Sequence, residues 1–279
     1  MALDPQAAKQ VLAAINRDEL AQLACALTDI PSPTGQEKAV ADHILAWFRA
    51  NGLKAIAQEV EIGRPNAVGV LKGTGGGLSL GFNGHTDTSY TGTVEDLRMI
   101  AEVEPESELR GVIVGDKVRG LGISNMKGGL AAFMMAGAAL KRSGVSLKGD
   151  VVLAAVVGEI SRTPVGPWQS REYRGEGTGT RHLLTHGMHT DYAVCADGSD
   201  LNMVWTQTGV VQAKITTYGK PEAAWGTNRS KVPMEKVNAI VRMTKAIEAL
   251  ERWGAQFEEK YVYQSPTGPL FPKVNIGAI

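Results

Sequence analysis

The chain of 279 residues has almost no cysteine: Cys25 and Cys195 stand alone, with no CxxC pair. That excludes a disulfide framework and suits a reducing cytoplasm. Neither sign of charge is in excess, since Lys plus Arg and Asp plus Glu each number 29. A nucleic-acid or anionic-membrane partner calls for a basic surplus, so neither partner is expected. No charge-free run reaches the ~18 residues of a membrane span. The opening MALDPQAAKQ lacks the basic-then-apolar layout of a secretory leader, and the expected setting is cytoplasmic. Aromatics are sparse at 6%, yet 43% hydrophobic and 21% charged residues describe a globular chain with a sizeable core. Glycine is the one unusual count, 33 in all, which implies many tight turns joining short elements.

Hydrophobic spacing predicts the elements. Leu20, Leu23, Ala24 and Leu27 follow Asp18-Glu19 at helical intervals and stop at Pro31-Ser32-Pro33, where prolines cannot continue a helix. Val40, Ile44, Trp47 and Phe48 predict a second helix within 35–51, closed by Asn51-Gly52. Strand-like runs follow at 53–60, 66–71 and 78–83. Gly73–Gly77 separates the last two, and because a strand follows it, a hairpin loop is expected, not a phosphate cradle. Residues 88–118 read as polar and irregular. A buried helix is expected over 126–142, and a strand covered on both faces over 150–157. A long polar loop over 161–180, a short helix near 180–187 and a strand at 191–196 continue the alternation, which argues for an α/β layered domain. Beyond Thr206 the chain predicts a strand at 210–218, a long amphipathic helix at 233–253 and a strand at 272–279. The expected division is a first domain over 1–206 and a smaller α+β one over 207–279.

Gly84-His85-Thr86-Asp87 ends the apolar run 78–83, where parallel-sheet enzymes place their sites. Residues two apart in extended chain share a face, so His85 and Asp87 are neighbours. A carboxylate beside an imidazole can take its second N–H and make the other nitrogen a better metal ligand. Downstream stands Gly120-Leu-Gly-Ile-Ser-Asn125-Met126-Lys127-Gly128-Gly129. Together these segments resemble the zinc-dependent family of acetylornithine deacetylase, succinyl-diaminopimelate desuccinylase, aminoacylase and glutamate carboxypeptidase, with its GHxD strand end and GxGxxDMKGG turn. Glu159 resembles one member of that family's glutamate pair. Asp191–Asp197 resembles the strand that ends in its later carboxylate ligand, and 209–220 with 237–240 resembles the start of its lid and dimerisation domain.

The resemblance implies a metallopeptidase-like catalytic domain over 1–206 and a partial lid over 207–279. It implies hydrolysis of an amide in a small N-acyl amino acid, dipeptide or related compound, and a homodimer formed through the lid. The family holds two metals with two histidines and three carboxylates. Here the bridging aspartate is Asn125, the second glutamate is Ile160, and no histidine follows His189. The family's lid histidine is also missing, since Pro221–Trp225 follows Gly219-Lys220. The losses fall on one metal, whereas His85 and Asp197 remain for the other. A +4 cluster needs about four negative charges in a low-dielectric cleft, and Asp197 with one hydroxide supplies two. The expectation is therefore at most one ion, zinc or another divalent such as cobalt or manganese, held by His85, Asn125 and Asp197. Glu159 would serve as base and Asp87 would orient His85.

Two other classes stay open. One is a non-catalytic homologue binding a ligand or partner. The other is a nucleotide-binding oxidoreductase, suggested by the imperfect glycine turn Gly120-x-Gly122-x-x-Asn125. Ser32, Ser89 and Ser124 lack a G-x-S-x-G context. Arg171, Arg174 and Arg181 could meet a substrate carboxylate or simply be solvated. His182 and His186 are four apart on one helix face, with His189 just beyond. That spacing can bind zinc, but no HExxH glutamate lies between them, and a structural or surface role is the reading adopted. An unpaired apolar edge in 210–218 or 272–279 predicts self-association or a completing polypeptide.

Overall fold

The computed structural model describes residues 4–93, 109–160, 175–198, 202–204, 206–211, 213–221, 228, 230–266 and 268–277. They form two compact units, one ending at Gly198 and the other starting at Asn202.

The first unit opens with helices α1 (Pro5–Ala13), α2 (Arg17–Thr28) and α3 (Lys38–Ala50). The Asn16 side chain accepts from the N–H groups of Asp18 and Glu19, so α2 starts where its orphan donors find an acceptor and where two acids face its positive end. Strands β1 (Lys54–Glu61), β2 (Arg64–Leu71) and β3 (Leu80–His85) follow, then the small hairpin β4 (Val112–Val114) and β5 (Lys117–Arg119). That hairpin lies inside a stretch expected to be irregular. Its strands are only three residues each, too short for a periodic signal, and the turn is made by Gly115 at φ 63°. Helix α4 (Gly128–Ser143), strand β6 (Val151–Val156), helix α5 (Thr178–Thr185) and strand β7 (Tyr192–Cys195) complete the unit.

The sheet runs in the order β1-β2-β6-β3-β7, with β2 antiparallel to both β1 and β6, and β3 parallel to both β6 and β7. This corrects the hairpin expected at Gly73–Gly77. Strand β6 lies between β2 and β3, with Val68 opposite Ala154 and Gly84 opposite Ala155. A strand apolar on both faces belongs in the middle of a sheet, and β6 takes that place. The glycine run instead lies along the turn entering β6: a Cβ on Gly73 would come 2.4 Å from the Gly149 carbonyl oxygen.

Period-two alternation divides β6 between two cores. Val151, Leu153 and Ala155 join Leu27, Ile44, Phe48, Leu130 and Met134 under α2, α3 and α4. Val152, Ala154 and Val156 join Val68, Val70 and Leu183 under α5. Gly137 lets α4 lie directly on Leu153, since a Cβ there would be 2.3 Å from Leu153 Cδ1. Arg64 and Glu37 form a fully buried ion pair: Arg64 Nη2 and Nε reach Glu37 Oε1 and Oε2 at 2.5 and 2.9 Å, and Arg64 also pairs with Glu61. It ties the start of β2 to the start of α3.

In the second unit a single turn at Met234–Lys236 precedes helix α6 (Ala239–Lys260), which Asn238 caps by accepting from Ile240 and Val241. Strands β8 (Tyr263–Ser265) and β9 (Gly268–Leu270) form a hairpin, after which Val274 packs over Gly254 and its N–H meets Glu258 Oε1 at 3.2 Å. The strands expected at 210–218 and 272–279 are not formed by their described residues. Alternation makes a strand only beside a ladder partner, and among the described residues neither segment has one. The end of the first is held instead by Thr217 Oγ1 on the Ala239 carbonyl (2.9 Å) and by Lys220 N on that of Val237 (2.8 Å).

Candidate active site

Strand β3 delivers His85 to the C-terminal end of the sheet, beside β6 and β7. Gly84 is required there, because a Cβ would lie 2.5 Å from Met126 Cε and 3.0 Å from Leu130 Cδ2. The turn Ile123–Lys127 leads into α4 from Gly122 at φ 79° and contains a cis peptide between Asn125 and Met126. This turn brings Asn125 over His85. The sheet face thus sets one partner and the helix-entry turn sets the other.

The His85 ring is almost completely buried. Nδ1 donates to the main-chain carbonyl of Asp87 at 2.9 Å, with the Asp87 carboxylate further off at 3.5 Å. On this side of the imidazole the backbone carbonyl of Asp87 is nearest, and its carboxylate stands next to it. The carboxylate has other work. It accepts from Thr34 Oγ1 at 2.9 Å and from the backbone N–H groups of Glu159 and Ile160 at 3.1 and 3.0 Å. On the opposite side of the ring, Nε2 lies 2.6 Å from Asn125 Oδ1 and 3.7 Å from Glu159 Oε2.

The charges are mutually dependent. Burial acts to lower the His85 pKa, but the Asp87 carboxylate, followed by Glu159 and Asn125, outweighs it and lifts the group to about 9. Burial works against Asp87 ionising, yet His85 and the two N–H groups hold its pKa below the usual carboxylate range. Glu159, whose side chain is half exposed, is shifted upward chiefly by burial. The His85 charge opposes that shift, and the nearby Asp87 and Asp197 charges reinforce it.

His85, Asp87, Asn125 and Glu159 are thus brought together. Asp197 lies beyond the end of β7, exposed, with its carboxylate accepting from Gly198 N at 2.7 Å, and it reaches the others through its field on Glu159. Thr34 was not expected. Residues 31–34, read only as a helix stop, form a strap across 86–88: Ser32 Oγ donates to the Thr86 carbonyl, and Pro33 bridges Thr88. The Pro-Ser-Pro-Thr spelling was the available signal. Arg171, Arg174 and Trp225 lie outside the described residues, as do most of the loop 161–180 and Ile279.

Residues 81–259 match the Peptidase family M20/M25/M40. The chain belongs to this family. As an M20/M25/M40 member it is 29% identical over 244 residues to the N-formyl-4-amino-5-aminomethyl-2-methylpyrimidine deformylase of Bacillus subtilis (strain 168), covering 84% of this chain and 52% of that protein. It is 28% identical over 266 residues to the protein of the same name from Halalkalibacterium halodurans, covering 92% and 56%. The chain spans about half the length of the curated relatives it matches. Human carnosine dipeptidase 1 shares the fold, with a TM-score of 0.51 at 15% identity over 68% of this chain and 41% of that one. The glycines at 120 and 122 are required by the packing of the turn itself. A Cβ on Gly120 would strike Thr28 Cγ2 at 2.4 Å, and one on Gly122 would strike Thr88 Cγ2 at 2.6 Å.

M20/M25/M40 proteins are typically metal-dependent, so the donors must be tested against an ion. Nδ1 of His85 carries a proton toward the Asp87 carbonyl, which in the neutral ring leaves a lone pair on Nε2. That lone pair faces the Asn125 oxygen at 2.6 Å, and two acceptors this close need a proton or a cation between them. At 2.6 Å this is the spacing of a hydrogen bond from a protonated Nε2, in keeping with the raised His85 pKa. Zinc takes the same donor types at about 2.0–2.2 Å, so an ion would need the two side chains to part slightly. Among the described residues no three His, Cys, Asp or Glu side chains are spaced to hold a metal; the pair that converges here includes an amide. By chemical type, an imidazole nitrogen and an amide oxygen are donors that a divalent ion accepts.

Proposed function

We propose that this chain forms the catalytic part of a metal-dependent amidohydrolase acting on a small N-acyl compound: an N-acyl amino acid, a dipeptide or a related amide such as an N-formyl amine. The observation that carries the reading is the meeting of His85 Nε2 with Asn125 Oδ1 and Glu159 Oε2 at the end of β3, in a chain of the M20/M25/M40 family. The names of the two deformylase relatives support the formyl variant of the substrate.

In this reading His85, Asn125 and Asp197 hold at most one ion in the cleft, zinc or another divalent such as cobalt or manganese. When bound, it supplies Lewis-acid polarisation of the amide carbonyl and acidifies a water toward a pKa of ~7. Glu159 takes the proton of the attacking water and returns it to the leaving amine, a task helped by its raised pKa. Asp87 fixes the backbone of Glu159, and so sets where the base stands. The products are an amine and a carboxylate. Residues 207–279 are the start of a lid through which two copies pair, and the setting is cytoplasmic. Among the described residues no helix is long and apolar enough to cross a membrane.

A second reading, a homologue that binds without turnover, rests on Asn125 and Ile160 standing where the family resembled has acids. The full-length protein assayed with zinc, cobalt or manganese against N-formyl amines, N-acetyl amino acids and dipeptides separates the two. Metal-dependent release of amine, abolished in Glu159→Gln, is expected. Ligand binding with no turnover under any of these ions would favour the second reading.

A further inference from the structure

We propose that Thr34 is a positioning residue for hydrolysis, a role that rests on the catalytic reading of Glu159. Its hydroxyl fixes the rotation of the Asp87 carboxylate, and through it the place of Glu159 beside His85. An ionised carboxylate only accepts, and its two oxygens offer about four sites. In Asp87, Oδ2 accepts from Thr34 Oγ1 at 2.9 Å and from the Ile160 N–H at 3.0 Å. Oδ1 accepts from the Glu159 N–H at 3.1 Å and stands 3.5 Å from His85 Nδ1. The oxygen that faces the imidazole and the backbone of the base is therefore set by what holds its twin. Both N–H donors belong to the loop after β6, the segment whose position is at stake. Thr34 is the partner that comes from another part of the chain. It is 3% exposed and Asp87 is 1% exposed, so bulk water does not compete for the carboxylate.

The strap that carries Thr34 is itself tied down. Pro31 and Pro33 restrict its backbone. The Thr88 N–H donates to the Ser32 carbonyl at 2.8 Å, and the Thr34 N–H donates to the Thr88 carbonyl at 3.3 Å. At the start of the strap the Ile30 carbonyl accepts from Lys127 Nζ at 2.6 Å, in the turn that carries Asn125. The hydroxyl is thus anchored to both segments that bring side chains to the cleft, 85–87 and 123–127. Thr34 touches no reacting atom and acts only through Asp87. Serine at this position would keep the donor, whereas valine would keep the shape without it.

The test compares the full-length protein with Thr34→Val, Thr34→Ser and Ser32→Ala, the last of which loosens the strap without touching the carboxylate. On an N-acyl substrate that the unaltered enzyme hydrolyses, Thr34→Val should lower kcat about tenfold or more while KM stays within about twofold, because a misplaced base is felt in the transition state. Thr34→Ser should recover most of that loss, and the fall in Ser32→Ala should be at least about fivefold smaller. Independently of turnover, amide hydrogen exchange at Glu159 and Ile160 should quicken in Thr34→Val and return in Thr34→Ser. An undiminished kcat in Thr34→Val, or no recovery with serine, would overturn the assignment. If the unaltered protein hydrolyses no amide, the catalytic reading fails by itself, and unchanged exchange at 159 and 160 then decides against Thr34. Should Thr34→Val not fold, the unaltered protein decides. Its Thr34 hydroxyl proton should give a slowly exchanging NMR resonance, and a freely exchanging one would overturn the assignment.

Discussion

The carboxylate of Asp87 holds the backbone N–H of Glu159 at 3.1 Å, while the Glu159 side chain reaches back to within 3.7 Å of His85, two residues before that aspartate. The strand end and the loop after β6 are therefore one closed circuit of contacts. Removing Asp87 leaves the Thr34 hydroxyl and two backbone N–H groups without their acceptor. We expect Asp87→Ala to lose about 2–3 kcal/mol of stability. Asp87→Asn, which keeps an oxygen, should lose less. Urea denaturation of the two variants checks this ordering, and equal stability in both would count against it.

Asn125→Asp should tighten zinc binding in the cleft by at least about tenfold, since a charged ligand replaces a neutral one. Titration monitored by competition with a chelating dye reads the change. Unaltered or weaker affinity would mean that the Asn125 oxygen does not face the ion.

Crystals grown with excess zinc should contain a single ion at the end of β3. The remaining donors supply His85, Asn125 and Asp197 but no second private set. Two ions at full occupancy in that cleft, located by anomalous scattering, would refute the one-ion reading.

Glu37→Gln should cost about 3 kcal/mol, because it strips a fully buried guanidinium of its two-pronged partner. Glu61 also pairs with Arg64 and limits the loss. Chemical denaturation measures it, and Glu61→Gln, at a more exposed position, should cost clearly less.

Lys127 gives a pH prediction. Its side chain is buried, and Nζ donates to the Ile30 carbonyl at 2.6 Å. Burial lowers its pKa from 10.5 to about 8, partly opposed by Asp29. Between these values the unfolded chain binds more protons than the folded one, so this residue's contribution to stability rises as pH climbs through that window. Below about 8 its burial cost is fully present. The stability of the unaltered protein relative to Lys127→Met should therefore increase from pH 7.5 to pH 10. A flat difference would place the ammonium in a better-solvated setting.

Much of this architecture is legible in the residues. The spacing of Leu23, Leu27, Ile44 and Phe48 marks α2 and α3, and the unbroken apolar run at 151–156 marks the central strand, because burial imposes these patterns locally. The order of the strands is not local. Nothing between Leu71 and Leu80 says that β6 will come between β2 and β3, since that follows from pairing across a long loop. The site divides in the same way. His85 and Asp87 are two residues apart and visible as a pair, whereas Thr34 reaches Asp87 only once the strap is folded over β3. The carbonyl that orients His85 belongs to a backbone every residue has, so no side-chain code could announce it.

The central place of β6 also sets a timetable. Strand β2 is complete at Leu71, yet the partner for its second edge is not synthesised until Val151–Ala155 emerges. At about 5–20 residues per second this is a delay of several seconds. In the finished sheet β1 covers one edge of β2 and only this late segment covers the other. Pro65 near the start of β2 and Gly69 near its middle interrupt what would otherwise be a continuous invitation to mispair. Gly69 also lets Phe48 of α3 lie directly on the strand, since a Cβ there would come 2.9 Å from its ring.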